Sequence, residues 1–156
     1  MQMKTNNLTQ ASLIAALYVA LTLISNIFGL ASGVIQFRLS EILTILPMLT
    51  PAAIPGLIIG CLLANTLTGA ALWDIVFGTL ATAIGAIGTR YLGKISPYLG
   101  VIPPIVANML IVPKVLQLVY GAEGSYFYFM LTVGIGEIVM CGIGGIILYK
   151  LIGDKI

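Results

Sequence analysis

Leu39-Ser-Glu41-Ile-Leu-Thr-Ile-Leu-Pro47-Met-Leu49, closed by Thr50-Pro51-Ala-Ala-Ile-Pro55, is the stretch on which the fold turns. It is apolar enough for a membrane and stopped by prolines, yet too short to cross one. About eleven residues at ~1.5 Å per residue reach about 16 Å, roughly half of a ~30 Å hydrocarbon core. With the proline-rich end at the inner face, Arg38 and Glu41 lie at membrane depth, and the irregular stretch from Ser32 to Phe37 dips in above them. Irregular backbone at that depth is tolerated only where it is buried in protein or lines a watery cavity. The expectation is a cavity opening outward.

Composition sets the surroundings. Apolar residues make up 60% of the 156 positions and charged residues only 8%, against roughly 25% charged in a soluble domain. So few charges cannot solvate a globule of this size, which places most of the surface against hydrocarbon. The apolar run from Ala11 to Leu30 exceeds the ~7–15-residue core of a signal peptide, and further spans follow it. A single membrane-embedded domain over residues 1–156 is expected. No basic patch offers itself to nucleic acid.

Six helical segments can be marked, over about Leu8 to Leu30, Leu39 to Leu49, Pro55 to Leu67, Trp73 to Leu92, Pro97 to Tyr120 and Ser125 to Ile152. Glycines from Gly29 to Gly33 end the first, and Pro103-Pro104 and Pro113 interrupt the fifth. The fold class is therefore all-α, a compact bundle of six transmembrane helices. An N-in, C-in topology puts Lys4, Arg90, Lys94, Lys150 and Lys155 inside and only Arg38 and Lys114 outside, in line with the positive-inside rule. Small residues recur at four-residue spacing in Ala11/Ala15, Ala16/Ala20, Gly56/Gly60 and Ala81/Gly85. Such spacing lets helix backbones approach closely, within the bundle or against another membrane protein.

Ionisable groups inside a membrane are expensive and usually face a bundle interior with a partner. Glu137 stands near the middle of the last helix, either as a protonated acid in a helix-helix hydrogen bond or as a ligand-binding carboxylate. Arg38 and Glu41 are three apart and can pair on a helix, as a structural ion pair or around a ligand. Asp74 follows Trp73 at the start of the fourth helix, where a carboxylate also suits the helix dipole. Lys114, free to snorkel, and Gln117 form a polar face on the fifth helix, and Asn65 and Asn108 are amides in apolar helices. Arg38, Glu41, Asn65, Asp74, Lys114, Gln117 and Glu137 map to the outer half or the midplane, which describes a pocket reached from outside. Cys61 and Cys141 sit in apolar segments and read as small packing residues; no metal or cofactor is expected.

The chain has no histidine, no HExxH and no GxSxG, so metal-dependent or triad hydrolysis has no support. Gly88-Thr-Arg-Tyr-Leu-Gly93-Lys94 has the spacing of a phosphate loop. Ile95 replaces the required Ser/Thr, however, and the motif ends a helix instead of following a strand. The chain carries no ATPase, so uphill movement of a solute would draw on an ion gradient or a partner.

The stretch from Gln36 to Asn65 resembles the queuosine precursor transporter (QueT) family, substrate-binding S-components of energy-coupling factor transporters. So do Trp73 to Thr82, Pro103-Pro-Ile-Val-Ala-Asn108 and Gly136-Glu137. The resemblance implies a multi-pass protein of the bacterial cytoplasmic membrane, bounded by lipid, which borrows ATP hydrolysis from a transmembrane coupling protein and two ATPases. It implies docking of that module on small residues of the first helix, Ala11, Ala15, Ala16 and Ala20. The implied ligand is a deazaguanine base. Its adjacent N–H donors suit a carboxylate, with Glu137 the first choice, and an aminomethyl cation on it would want Asp74 or Glu41. Gln36, Asn65, Asn108 and Gln117 would read carbonyl and ring nitrogens; Trp73, Tyr126 or Tyr128 would stack. An S-component for another vitamin-like solute, and a ligand-free structural membrane subunit, remain as competing functions.

Overall fold

A computed structural model describes residues 2–31 and 35–155, with side chains from Thr5 onward. Lys4, Ser32 and Gly33 therefore contribute to the expectations above but lie outside the described side chains. Helix α1 (Gln2–Ile27) is followed by a 3-10 helix (Leu39–Met48), α2 (Ala53–Leu67), α3 (Leu72–Leu92), α4 (Pro97–Gly100), α5 (Ile102–Leu118), α6 (Tyr126–Glu137), a π-helical stretch (Ile138–Gly144) and α7 (Gly145–Ile152). No strand occurs among the described residues. The spans Thr5–Ile27, Leu72–Leu92, Pro97–Leu118 and Tyr126–Lys155 are long and apolar enough to cross a membrane, while Leu39–Met48 and Ala53–Leu67 are shorter. This is the expected all-α membrane bundle.

The central short helix differs from expectation in kind. It is a 3-10 helix, whose rise of about 2.0 Å per residue stretches ten residues to about 20 Å. It still falls short of a bilayer. Runs beyond three or four residues are uncommon for this geometry, and here tertiary contacts on all sides hold it. Ser40, Glu41, Leu43, Thr44, Ile45, Leu46 and Pro47 are all buried.

A polar stripe on α1 supports it, since Tyr18, Thr22 and Ser25 fall on one face at helical spacing. Tyr18 donates to Glu41 Oε1 at 2.8 Å, Thr22 Oγ1 to Ser40 Oγ at 2.9 Å, and the Leu39 amide to Ser25 Oγ at 2.9 Å. At the other end the Arg90 guanidinium donates to the carbonyls of Pro47 and Met48 at 3.1 and 3.3 Å. Arg90 thus caps carbonyls that a helix end leaves without partners.

Small residues set the helix spacing. A Cβ on Gly56 would meet the Ala11 carbonyl at 2.8 Å, and one on Gly60 would meet Tyr18 Cβ at 2.8 Å and Ala15 Cα at 3.1 Å. Ala11 and Ala15, expected on a docking surface, are accordingly buried against α2; Ala16 and Ala20 stay exposed. Pro104 packs on Gly85 in the same close manner. The break expected in the fifth segment lies at Val101, and Pro103-Pro104 occupies the first turn of α5, where missing amides cost nothing. Pro113, expected to interrupt the helix, is carried inside it.

Candidate functional site

Ahead of the 3-10 helix the Phe37 amide donates to the Leu30 carbonyl at 2.9 Å. Below this bond opens a cavity of about 560 Å³, lined among others by Thr22, Gln36, Arg38, Glu41, Asn65, Asp74, Thr82, Asn108 and Tyr120. That volume lies in the range of small-molecule sites. It sits at the end of the bundle opposite the N-terminus of α1, where the start of α3 and the end of α5 meet. Six of the residues singled out in the sequence therefore converge: Gln36, Arg38, Glu41, Asn65, Asp74 and Asn108.

Arg38 precedes the 3-10 helix in extended conformation, with φ −100° and ψ 107°. The helical spacing that would pair it with Glu41 is thus absent, and no ion pair joins the two among the described residues. Instead Arg38 Nη2 donates to Asn65 Oδ1 at 2.9 Å. Asn65 Nδ2 and Thr82 Oγ1 both reach Cys61 Sγ, at 3.5 and 3.3 Å. Cys61 is thereby an acceptor under the floor as well as a packing residue.

Glu41 forms the floor and is 3% exposed. Behind it, outside the cavity lining, lies Glu137. Cys141 donates to Glu137 Oε2 at 2.9 Å, and Thr44 Oγ1 reaches Cys141 Sγ at 3.3 Å. Asn108 approaches Glu137 from α5. Glu137 ends α6 and Cys141 lies inside the π-helical stretch that follows, a geometry frequent at functional sites. Oxygen and sulfur atoms of Glu41, Glu137 and Cys141 lie within 4.8 Å of one another. Two carboxylates and a thiol are a plausible donor set for a metal, but Tyr18 and Cys141 already bond these carboxylates, so the trio is satisfied from within the protein.

Asp74 stands at the rim. α3 begins with no side-chain cap, and Asp74 Oδ2 instead accepts from Tyr120 Oη at 2.7 Å, while the Ala71 amide donates to the same hydroxyl at 3.1 Å. Burial, followed by the hydrogen bond to Asp74, holds the Tyr120 hydroxyl above its ordinary pKa, so it remains a donor. This clasp joins the start of α3 to the loop after α5.

The remaining candidates lie elsewhere. Lys114 rests 5.2 Å over the Tyr126 ring, whose hydroxyl donates to the Leu110 carbonyl at 2.7 Å. Trp73 stacks on Phe77 at 6.0 Å and, with Lys114, lines a separate apolar groove. Gln117 donates to the Gly124 carbonyl at 2.9 Å and ties the α5–α6 loop. Tyr128 packs edge-on against Phe129. Sequence reasoning missed Tyr18, Thr22, Thr82 and Tyr120. Tyr18, Thr22 and Ser25 at i, i+4 and i+7 were a legible signal on an otherwise apolar helix; Tyr120 gave none, because its partner is 46 residues away.

A sequence profile described as QueT transporter matches residues 8–154. The chain belongs to the QueT transporter family. That is a family of transporters and not of enzymes. Among characterised relatives, the queuosine precursor transporter QueT of Lactococcus lactis subsp. cremoris (strain MG1363) is 34% identical over 82 residues. The aligned stretch covers 52% of this chain and 47% of that relative, about half the length of each. No solved structure matches.

Proposed function

We propose that this protein is the substrate-binding membrane subunit of an importer for a queuosine precursor, a deazaguanine base, in the bacterial cytoplasmic membrane. The observation that carries the reading is the convergence of Arg38, Glu41, Asn65, Asp74 and Asn108 on one cavity in a chain of the QueT transporter family. A guanine-like edge presents adjacent N–H donors to Glu41, which accepts them in a bidentate way. Asn65 and Asn108 supply donors and acceptors for the carbonyl and ring nitrogens. Glu137 supports Glu41 from behind. The flat base fits a cavity of this size with room for a substituent toward the rim.

Energy comes from partner subunits, a coupling protein with two ATPases. The surface offered to them is the groove between α1 and α2, lined by Ser12, Ala16, Val19, Ala20, Ile59 and Leu63 among others. Small side chains there admit a partner helix closely.

Calorimetry on the purified chain tests the first half. Saturable binding of a deazaguanine base, clearly weakened in Glu41→Gln, is the expected result. Binding of an unrelated vitamin with no response to deazaguanines would replace the ligand, and a folded chain that binds nothing would make it a structural subunit.

A further inference from the structure

Together α3 and α5 form a wall with two faces. Asp74, Gly78 and Asn108 turn to the ligand cavity. Trp73, Phe77, Leu110, Ile111 and Lys114 turn away from it and line an open, apolar groove of about 570 Å³. Val115 borders both spaces. The groove follows from how the two helices pack. Toward the far end of the pair a Cβ on Gly85 would meet Pro104 Cα at 2.8 Å, and one on Gly88 would run into Pro103, so the backbones touch there. At the cavity end bulky side chains replace the glycines, and the Tyr120–Asp74 hydrogen bond spans the helices instead. Trp73, Phe77, Leu110 and Leu118 are left exposed along the gap. On a protein that crosses a membrane, such a surface faces lipid.

One cation stands in this apolar setting. Lys114 is the only charged residue lining the groove. Its ammonium lies 5.2 Å over the Tyr126 ring and pairs with no carboxylate among the described residues. Asp74, next to Trp73 in sequence, is turned to the cavity and held by Tyr120. Leu118 ends α5 four residues after Lys114, about 6 Å away at ~1.5 Å per residue, and Trp73 is the second residue of α3. Both side chains therefore stand close to the helix ends, the depth at which headgroups begin and tryptophan is enriched.

We propose that this groove binds an anionic phospholipid, with an acyl chain along Trp73, Phe77 and Leu110 and the phosphate paired with Lys114. A lysine at this depth reaches toward the polar headgroups to stay charged. A phosphate there supplies the missing counter-charge through charge-assisted hydrogen bonds, as anionic headgroups do in basic pockets between membrane helices. A zwitterionic lipid brings its own ammonium beside Lys114 and gains less. The Trp73 indole N–H has no partner among the described residues and is a free donor for the ester region. The site lies outside the ligand cavity and does not depend on what that cavity holds.

Trp73 is the only tryptophan in the chain, so its fluorescence reports on this groove alone. The full chain is reconstituted in phosphatidylcholine vesicles containing increasing fractions of brominated phosphatidylglycerol or, in parallel, brominated phosphatidylcholine. The brominated anionic lipid is expected to reach half-maximal quenching at about a fivefold lower mole fraction. That corresponds to about 1 kcal/mol, the scale for one lysine near an anionic surface. Lys114→Gln should abolish the difference. Lys94→Gln, which removes a charge resting on Tyr91 instead, should keep it. Equal quenching by the two lipids in the unaltered chain overturns the proposal, as does a preference that survives Lys114→Gln or vanishes in Lys94→Gln. Absence of quenching by either lipid means that protein covers the groove, which overturns it as well. The transport reading rests on base binding and is untouched by each of these outcomes.

Discussion

The Tyr18 hydroxyl donates to Glu41 Oε1 at 2.8 Å across 23 residues of sequence, with both side chains buried. This bond fixes the floor carboxylate to α1, the helix whose opposite face carries the exposed Ala16 and Ala20. One element thus touches both the cavity floor and the groove that a partner would use. Removing the donor leaves a buried carboxylate short of a bond, which costs about 1–3 kcal/mol. Tyr18→Phe is therefore expected to lower the thermal midpoint of the purified protein and weaken ligand binding. An unchanged midpoint and affinity would show that the bond matters to neither.

Glu41 and Glu137 are both buried, but only Glu41 lines the cavity. Glu41→Gln should weaken binding by about 1.5–3 kcal/mol, the scale of hydrogen bonds to a charged group. Glu137→Gln retains an oxygen to accept from Cys141 and should cost clearly less affinity. Titration calorimetry on the two variants ranks them, and the reverse order would move the ligand deeper than the cavity described above.

Gly136 has an ordinary helical backbone, so its role is steric. A Cβ there would run into the Gln36 carbonyl, whereas a Cβ on Gly134 meets the thioether end of Met109. Backbone cannot give way as a methionine can. Gly136→Ala should displace the stretch over the cavity and reduce binding, while Gly134→Ala should be nearly silent. Limited proteolysis beside a binding assay reads both effects, and equal behaviour of the pair would refute the explanation.

Arg90 holds the C-terminal carbonyls of the 3-10 helix. Arg90→Gln should destabilise the protein by about 1–3 kcal/mol with little change in ligand affinity at the other end of the bundle. Arg90→Lys restores charge but not the forked geometry and should recover only part of it. Full recovery by lysine in a thermal melt would mean that charge alone is at work.

Ala16 is exposed in the α1–α2 groove, while Ala15 is buried beside Gly60. Ala16→Trp should preserve ligand binding by purified protein but abolish uptake by cells and co-purification with the ATPase subunits. Uptake at the normal rate would assign the docking surface elsewhere. Ala15→Trp is expected to fail earlier, by forcing the two helices apart.

The sequence by itself determined the class of fold, because span length, scarcity of charge and proline or glycine stops are local quantities. It determined that Leu39–Met48 is too short to cross a membrane, and so that polar groups at its start need a cavity. It also contained Tyr18, Thr22 and Ser25 as a stripe at helical spacing. Which polar groups share the cavity was a tertiary matter. Spacing pairs Arg38 with Glu41 only if both are helical, yet Arg38 is extended and finds Asn65 on another helix. Glu137 stood out in sequence as an acid amid apolar residues, but depth alone does not say which way a side chain faces. The hydrogen bond from Cys141 and the approach of Asn108 hold it behind Glu41. The geometry of the short helix was likewise decided from outside, because its long 3-10 run has no local preference to sustain it. The hydrogen bonds from α1 and Arg90 do, and they reach it from residues far away in the chain.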